Sequence, residues 1–238
     1  ARHFKSMPIV VILITALVAM SPIYAQEPSA QEIVAAARLN PMGQEITLNA
    51  QLRAGSVKVP FQIEVKNGSI RYGFSNPQQD IILTLGEDES KLEESLADSK
   101  SRVPVARYDD SVRGGLITYE DLALRFLYWK NARLLGEESV RSRRAWKIEI
   151  PAPGSSSQYG AVRVWIDRES AALLRIEGYD KSGALAKRFE VVSAQKIDGQ
   201  WMLKQMRVER IDPETRKTTG ITYLEVLGRH EASKSEAK

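Results

Sequence analysis

The chain has 238 residues, and none of them is cysteine. It therefore has no disulfide, no thiolate metal ligand, no thiol nucleophile and no cysteine to which a lipid anchor is attached. A fold without disulfides must be stabilised by its own core, and this chain is long enough to build one.

Histidine is almost absent as well, because only His3 and His230 occur, close to the two ends of the chain. The residues between them cannot form a Ser-His-Asp or Cys-His catalytic group, nor a zinc site with histidine ligands. We predict no metal and no cofactor.

Only one long hydrophobic run is present, at residues 9–20, after the basic residues Arg2 and Lys5. A Ser-Pro pair ends the run, and the small residue Ala25 precedes a polar segment. This order predicts a secretory signal over residues 1–25 with cleavage after Ala25, and hence an exported protein. Its 12 residues would rise about 18 Å as a helix, short of the roughly 30 Å hydrocarbon core. An uncleaved membrane anchor is the alternative.

The chain also lacks a strong excess of one charge. Without Arg2 and Lys5, the 34 basic residues fall to 32 against 30 acidic ones. Phosphate backbones require concentrated positive charge, so nucleic acid is not expected as a partner.

The first half of the chain predicts one helix followed by strands. Ser29 and Glu32 form a capping box that opens a helix over 29–39. Alternating apolar residues then predict strands at 46–52, 57–65, 70–74 and 81–85, with an Asn67-Gly68 hairpin turn.

The middle is less regular. Ser90 and Glu93 indicate a short helix with Leu92 and Leu96 on one face, and 98–115 is interpreted as a loop. Thr118 is the predicted N-cap of a second helix over 118–129.

Strands follow to the end of the domain, which we place at residues 26–228. They are predicted at 134–140, 145–150, 159–167, 173–179, 184–197, 200–211 and 218–227. Residues 229–238 are predicted to be a polar, disordered tail. The fold class is therefore mainly β (α+β), with one curved antiparallel sheet of about ten strands and two or three helices.

The apolar faces of these elements indicate a hydrocarbon-binding interior. In 159–167, for example, Val162, Val164 and Ile166 point one way, and Arg163 and Trp165 the other. About ten strands present more apolar surface than short helices cover, which leaves room for a cavity; a helix that fills this space completely is the alternative. The predicted cavity residues are Phe61, Ile63, Tyr72, Phe74, Leu122, Phe126, Trp129, Ile148, Val162, Val164 and Ile166.

Three sets of charged residues invite other interpretations. Arg141, Arg143 and Arg144 on a predicted turn are candidates for binding a partner or an anionic head group, or else form a solvated hairpin tip. The acids of 87–94 lack the ligand spacing of a calcium loop. Asp109, Asp110 and Glu120-Asp121, with Asp167, are the carboxylates available for acid–base chemistry, but nothing sets two of them across a cleft.

The order of elements resembles the outer-membrane lipoprotein-sorting group of the LolA/LolB-like superfamily. The stretches that carry this likeness are Leu116–Leu122, Arg125–Trp129, Leu135–Glu138, Val164–Asp167 and Gly178–Asp180. The resemblance implies a half-open β-barrel whose concave face is lined by apolar residues and covered by helices. In the family, an arginine of the early meander holds the lid closed; Arg53 and Arg71 are the available arginines, and no motif assigns the role to either.

The resemblance implies a periplasmic location and, with the predicted apolar interior, a carrier or chaperone rather than an enzyme. It would bind acyl chains of lipoproteins or other amphiphiles and hand them to an inner-membrane transporter complex or an outer-membrane acceptor. The alternatives are a sensor or adaptor that regulates a membrane protein such as an efflux-type transporter or an anti-sigma factor, an uncharacterised hydrolase, and a β-protein with a dry core.

Overall fold

The computed structural model describes residues 27–39, 45–96 and 99–231. The predicted signal segment and its cleavage site lie outside these residues. Within them are two α-helices, α1 (Ala30–Leu39) and α2 (Tyr119–Ala123), and 13 strands. The strands are β1 (Ile46–Ala54), β2 (Val57–Lys66), β3 (Ser69–Ser75), β4 (Gln78–Leu85), β5 (Ser90–Leu96), β6 (Ser99–Arg102), β7 (Arg133–Val140), β8 (Arg143–Pro151), β9 (Ala161–Asp167), β10 (Leu173–Tyr179), β11 (Leu185–Ile197), β12 (Gln200–Ile211) and β13 (Thr218–Arg229).

All the strands belong to one antiparallel sheet made of two meanders. The first runs from β1 out to the edge strand β6; the chain then crosses to the opposite edge at β7 and returns strand by strand to β13. The two meanders join where β13 pairs with β1. The sheet does not close, because β6 and β7 remain its two edges. Residues 103–132, here called the crossing segment, contain α2 and three short 3₁₀ turns.

The sheet has an apolar inner face and a charged outer face. In β9 the inward Val162, Val164 and Ile166 are fully buried, whereas Arg163 donates to the Glu149 carboxylate at 2.8 Å on the other side. This alternation follows from the two-residue period of a strand. Trp165 also points outward, but it is buried and the Lys147 ammonium lies 5.1 Å from its ring centre.

Several predicted local features are confirmed. Ser29 and Glu32 form the capping box of α1, with the Ser29 amide donating to Glu32 at 2.7 Å and the Glu32 amide donating to Ser29 at 3.3 Å. Asn67 and Gly68 form the β2–β3 turn with φ of 51° and 74°, the positive values that this turn requires.

Two predictions in the middle of the chain are wrong. Ser90–Leu96 is strand β5 and not a short helix, since its buried residues Ser90, Leu92 and Glu94 alternate with period two. The predicted loop at 98–115 contains strand β6. The 11 predicted strand ranges and these two strands make the 13 strands of the sheet, more than the predicted total of about ten.

The predicted helix over 118–129 is also wrong in its length. Thr118 caps α2 as expected, accepting from the Asp121 amide at 3.3 Å. However, Leu124 has a φ of 50°, in the left-handed region, and this ends α2 at Ala123. The chain continues as a 3₁₀ turn over Arg125–Tyr128.

The first two residues of the predicted tail belong to the sheet or contact it. Arg229 still belongs to β13, and the His230 amide donates to the Thr47 carbonyl at 2.9 Å. Residues 232–238 lie outside the described part of the chain. In the part that is described, no helix has the length and apolar character needed to span a bilayer.

Candidate functional site

The inner face is continuous across the whole sheet, because the register aligns inward residues from strand to strand. Val164 pairs with Ile176, Ile176 with Phe189, and Phe189 with Val208. Beyond the β13–β1 junction the same face carries Leu52 opposite Leu224. One apolar surface therefore runs from β5 to β8.

The predicted cavity residues lie on this inner side but divide between two clusters. Phe61 and Phe74 are buried in a first cluster, where their rings stack with centres 5.1 Å apart. Ile63, Tyr72 and Leu122 pack against it. The second cluster, under α1, contains the remaining six: Phe126, Trp129, Ile148, Val162, Val164 and Ile166. Their role in holding a ligand stays a prediction.

The central strands of the sheet carry a set of half-buried apolar side chains, here called the apolar belt. The belt packs against the first cluster and comprises Ile46, Val59, Ile63, Ile70, Tyr72, Ile197, Met202 and Met206. Tyr72 illustrates its character: desolvation by the surrounding protein raises its pKa to about 12, yet the side chain is only half-buried. Both properties are expected in the floor of a concavity.

Helix α2 is tied to the second meander by a buried ion pair. The Lys187 ammonium on β11 lies 2.6 Å from Asp121 Oδ2, and the two side chains are only 9% and 4% exposed. The Tyr159 hydroxyl donates to Asp121 Oδ1 at 2.6 Å. Burial of the phenol and the neighbouring Asp121 carboxylate raise the pKa of Tyr159.

The same helix is tied to the first meander through Glu94 on β5. Its carboxylate accepts from the Tyr119 hydroxyl at 2.5 Å, from Gln79 Nε2 at 2.6 Å and from Arg107 Nη1 at 2.7 Å. Desolvation acts to raise the pKa of Glu94, but these three hydrogen bonds outweigh it and the net shift is downward. Helix α2 thus bridges the two halves of the sheet.

A pocket of about 330 Å³, here called the seam pocket, lies beside the crossing segment. Its lining comes from β5 and β6, from the crossing segment and from the loop after β8: Glu89, Ser90, Arg102, Val105, Tyr108, Arg125, Tyr128, Trp129 and Pro153. Strands β5 and β8 stand ten strand spacings apart in the sheet order, which is about 48 Å in a flat sheet. The sheet must therefore bend strongly to bring its two ends to one pocket.

The three arginines predicted to bind a partner are each paired within the chain. Arg143 forms two hydrogen bonds with Asp167, at 3.0 and 2.6 Å. Arg144 lies 2.5 Å from Glu137, and Arg141 lies 3.4 Å from Glu190. Their partner-binding role stays a prediction, although their charges are largely compensated by these carboxylates.

Arg53 and Arg71 lie on the outer face. Arg53 alternates with the inward Leu52 and binds Glu225 at 2.7 Å, and Arg71 binds Asp80 at 2.8 Å. Neither arginine faces the helices that cover the inner side.

Several of the carboxylates considered for chemistry have structural partners. Asp167 holds Arg143 and accepts from the Ser170 hydroxyl at 2.6 Å, and Asp121 holds Lys187. The acids of 87–94 separate, since Glu93 pairs with Lys91 and Lys100 on the face opposite to Glu94. The described residues contain no group of His, Asp and Glu arranged to hold a metal.

Sequence reasoning missed the polar residues that matter most here. Lys187 occupies an inward position two residues before Phe189, and a lysine there signals a buried partner. Arg125 is a lone charge within the apolar run 122–129, and this isolation was the available signal for the seam pocket.

Comparison with known proteins supports the architecture. A search of curated proteins finds no match. Among solved structures, a putative outer membrane lipoprotein-sorting protein domain from Vibrio parahaemolyticus superposes with a TM-score of 0.65 at 16% identity, over 86% of this chain and 92% of that one. A DUF1329 family protein from Desulfovibrio piger gives 0.61 at 19% identity, over 87% and 94%. A LolA superfamily protein from Nitrosomonas europaea gives 0.58 at 18% identity, over 89% and 98%.

The likeness to the LolA/LolB-like superfamily is therefore confirmed at the level of the fold. A family model described only as an uncharacterized protein matches residues 97–232, which is more than half of the chain. The protein accordingly belongs to that uncharacterized family and has the LolA-like fold.

Proposed function

We propose that this protein is an exported carrier that buries the acyl chain of a lipoprotein or another amphiphile against the inner face of a half-open barrel. The observation that supports this most directly is the apolar belt, a set of half-buried apolar side chains packed against the first cluster. Each methylene group removed from water there contributes about 0.8 kcal/mol, so a long acyl chain can be held without any covalent step.

The function is carriage and not catalysis, with residues 26–228 acting as one domain after removal of the signal segment. The solved relatives include a lipoprotein-sorting domain and a LolA superfamily protein. Release to a membrane partner completes the cycle, and that partner is an inner-membrane transporter complex or an outer-membrane acceptor.

Helix α1 is the element that moves to admit the ligand. Its few polar ties to the rest of the protein include Gln31 Nε2 donating to the Trp129 carbonyl at 3.3 Å and Arg38 Nη1 donating to the Glu87 carbonyl at 3.4 Å. The seam pocket, at about 330 Å³, is at the small end of ligand sites. A long chain therefore requires α1 to lift from the second cluster.

Filling the apolar belt tests the proposed function. We expect Ile63→Trp to weaken binding of a fluorescent C16 fatty acid about tenfold, because the indole displaces roughly two methylene groups of the chain. Titration of the delipidated protein measures this. Ile221→Trp is the matched control, since Ile221 is 41% exposed on β13 and its replacement should leave the affinity unchanged. If the unsubstituted protein shows no saturable binding of the fatty acid, the carrier function is wrong and the β-protein with a dry core is favoured.

Loss of the α1 cap tests the moving helix. Ser29→Ala removes the Ser29 side chain from the capping box and should raise hydrogen exchange of the α1 amides about fivefold. Amides of β8 and β9 beneath it should exchange at their original rates. An equal rise in the helix and in both strands would mean that α1 opens only when the sheet unfolds.

A further inference from the structure

We infer that the seam pocket binds a single anionic group, a carboxylate or a phosphate, with Arg125 as its main contact. For a lipid ligand, this group is the head of the amphiphile. The identification of the anion as a lipid head group rests on the proposed function, whereas the inference of an anion site does not.

Among the described residues, Arg125 has no acidic partner, although ion pairs are frequent in this protein. Its guanidinium lies 5.0 Å from the ring centre of Tyr108, and its Nη1 is buried without a hydrogen-bond partner among the described residues. Arg102 and Arg107, by contrast, pair with Glu89 and Glu94. A buried polar atom without a partner is costly, so this position favours a ligand that accepts hydrogen bonds and carries negative charge.

A second unsatisfied group lines the same pocket. Ser90 is 6% exposed, and its hydroxyl is buried with no partner in the described part of the chain. Tyr108 is 3% exposed. Desolvation raises the pKa of Tyr108, so its phenol stays protonated and can donate. Serine, tyrosine and arginine together offer the donors that an oxyanion requires.

The residues at the mouth of the seam pocket and along its apolar wall indicate how an anion enters and where the acyl chain attached to it would lie. Glu89 and Arg102 form an exposed ion pair at the mouth, with side chains 71% and 56% exposed. Trp129 and Tyr128 form the wall, and Trp129 belongs to the second cluster under α1. A head group at Arg125 therefore directs an attached chain towards α1.

Matched ligands that differ only in the head group provide the experiment. Calorimetric titration of the full chain should give dodecanoate an affinity about tenfold higher than that of dodecanol. Arg125→Gln should reduce this ratio to near one through weaker dodecanoate binding, with dodecanol unchanged. Arg113→Gln is the control, because Arg113 is likewise half-buried and lies over an aromatic ring, that of Phe74, outside the pocket.

Two further measurements do not depend on the folding of that variant. Ser90→Ala removes a buried hydroxyl without adding bulk and should weaken dodecanoate binding about threefold, within the range of one hydrogen bond. Titration with inorganic phosphate distinguishes the source of the anion. Phosphate binding that dodecanoate displaces identifies a site for free anions as well, whereas binding of dodecanoate alone identifies a head-group site.

The outcomes separate this inference from the proposed function. Equal affinities of the unsubstituted protein for dodecanoate and dodecanol, with no phosphate binding, would overturn the anion site and leave the carrier function standing. Absence of binding by both lipids would overturn the carrier function, and the phosphate titration would still decide on the pocket. An affinity ratio unchanged in Arg125→Gln would overturn the inference that Arg125 is the main contact of the anion.

Discussion

Single residues determine whether α2 can lie against the sheet, and Gly178 is the clearest case. A Cβ placed on Gly178 would lie 2.2 Å from the ring of Tyr159, which is itself buried and bonded to Asp121. The ring cannot move away without breaking that bond. The absence of a side chain at this position is therefore a packing requirement.

We predict that Gly178→Ala lowers the free energy of unfolding by about 2–3 kcal/mol through overpacking against Tyr159. Urea denaturation measures the change. Gly220→Ala is a control in another strand, because its Cβ would make ordinary contacts with Leu116 at 3.5 Å and Arg210 at 4.0 Å. It should change stability by less than about 0.5 kcal/mol. Equal losses in both variants would contradict the contact with Tyr159.

Glu225 on the outer face carries a prediction about pH. Hydrogen bonds from Arg53, and then from Gln51 and Gln205, lower its pKa from 4.5 to about 2 against the opposing effect of desolvation. A lowered pKa means that this stabilisation is complete above pH 4.5. It is lost as the pH falls towards 2, where the folded protein also takes up the proton.

Glu225→Gln should therefore destabilise the protein by about 2 kcal/mol at pH 7, the range for hydrogen bonds to charged groups. The difference in unfolding free energy between Glu225→Gln and the unsubstituted protein should become smaller as the pH falls from 4.5 to 2. Urea unfolding at stepped pH measures it. A gap that stays constant down to pH 3 would show that the charge of Glu225 contributes nothing.

At the scale of elements, α2 is a fixed bridge and not a moving cover. It has only five residues, too few to be stable alone. Its position depends on the buried contacts of Asp121 and Glu94 described above. Helix α1, with one apolar face and few polar ties, contrasts with it.

Removal of the Asp121 charge tests this bridge. Asp121→Asn leaves the buried Lys187 ammonium without its counter-charge and should cost about 3 kcal/mol of unfolding free energy. Asp110→Asn is the control, since its pair with Arg107 is 54% and 42% exposed and should be worth less than about 1 kcal/mol. Thermal and urea unfolding compare the two. Similar small losses would show that α2 is not held by the buried pair.

Elements with strong local signals were predictable from the sequence. Ser29-Glu32 and Asn67-Gly68 are such signals, and the long strands of the second meander alternate clearly. Strand β5 was missed for two reasons. Ser90 and Glu93 have the spacing of a helix cap, and Glu94 gives no sign in the sequence of being buried, because its burial depends on Arg107 and Tyr119, which are distant along the chain. The left-handed turn at Leu124 has no local signal, since leucine does not favour it.

At the scale of the molecule, the inner face could be predicted, but its division into two clusters could not. Strand periodicity shows which residues face inward and does not show how far the sheet bends. The seam pocket depends on that bend, because Ser90 and Pro153 meet only when distant strands approach. The isolation of Arg125 in the apolar run 122–129 marks it as unusual, but the sequence does not show that it lines a pocket with Ser90 and Pro153.

Unfolding of the two meanders should be one event, because a single sheet and α2 join them. We predict that amides of β2–β4 and β8–β10 reach the same opening free energy when exchange is measured at increasing sub-denaturing urea concentrations. A persistently lower value for β2–β4 would show that the first meander opens by itself.

The junction of β1 with β13 also constrains how the protein is made. These strands come from opposite ends of the domain, and Leu52 must find Leu224 across more than 170 intervening positions. During synthesis β1 leaves the ribosome early. The edge of β1 that pairs with β13 therefore stays unpaired until residues 218–229 have been synthesised. Contacts so distant along the chain form slowly and expose strand edges to aggregation in the interval. A chaperone that binds the exposed β1 edge during synthesis should therefore raise the yield of native protein more than a chaperone that acts only after the chain has left the ribosome.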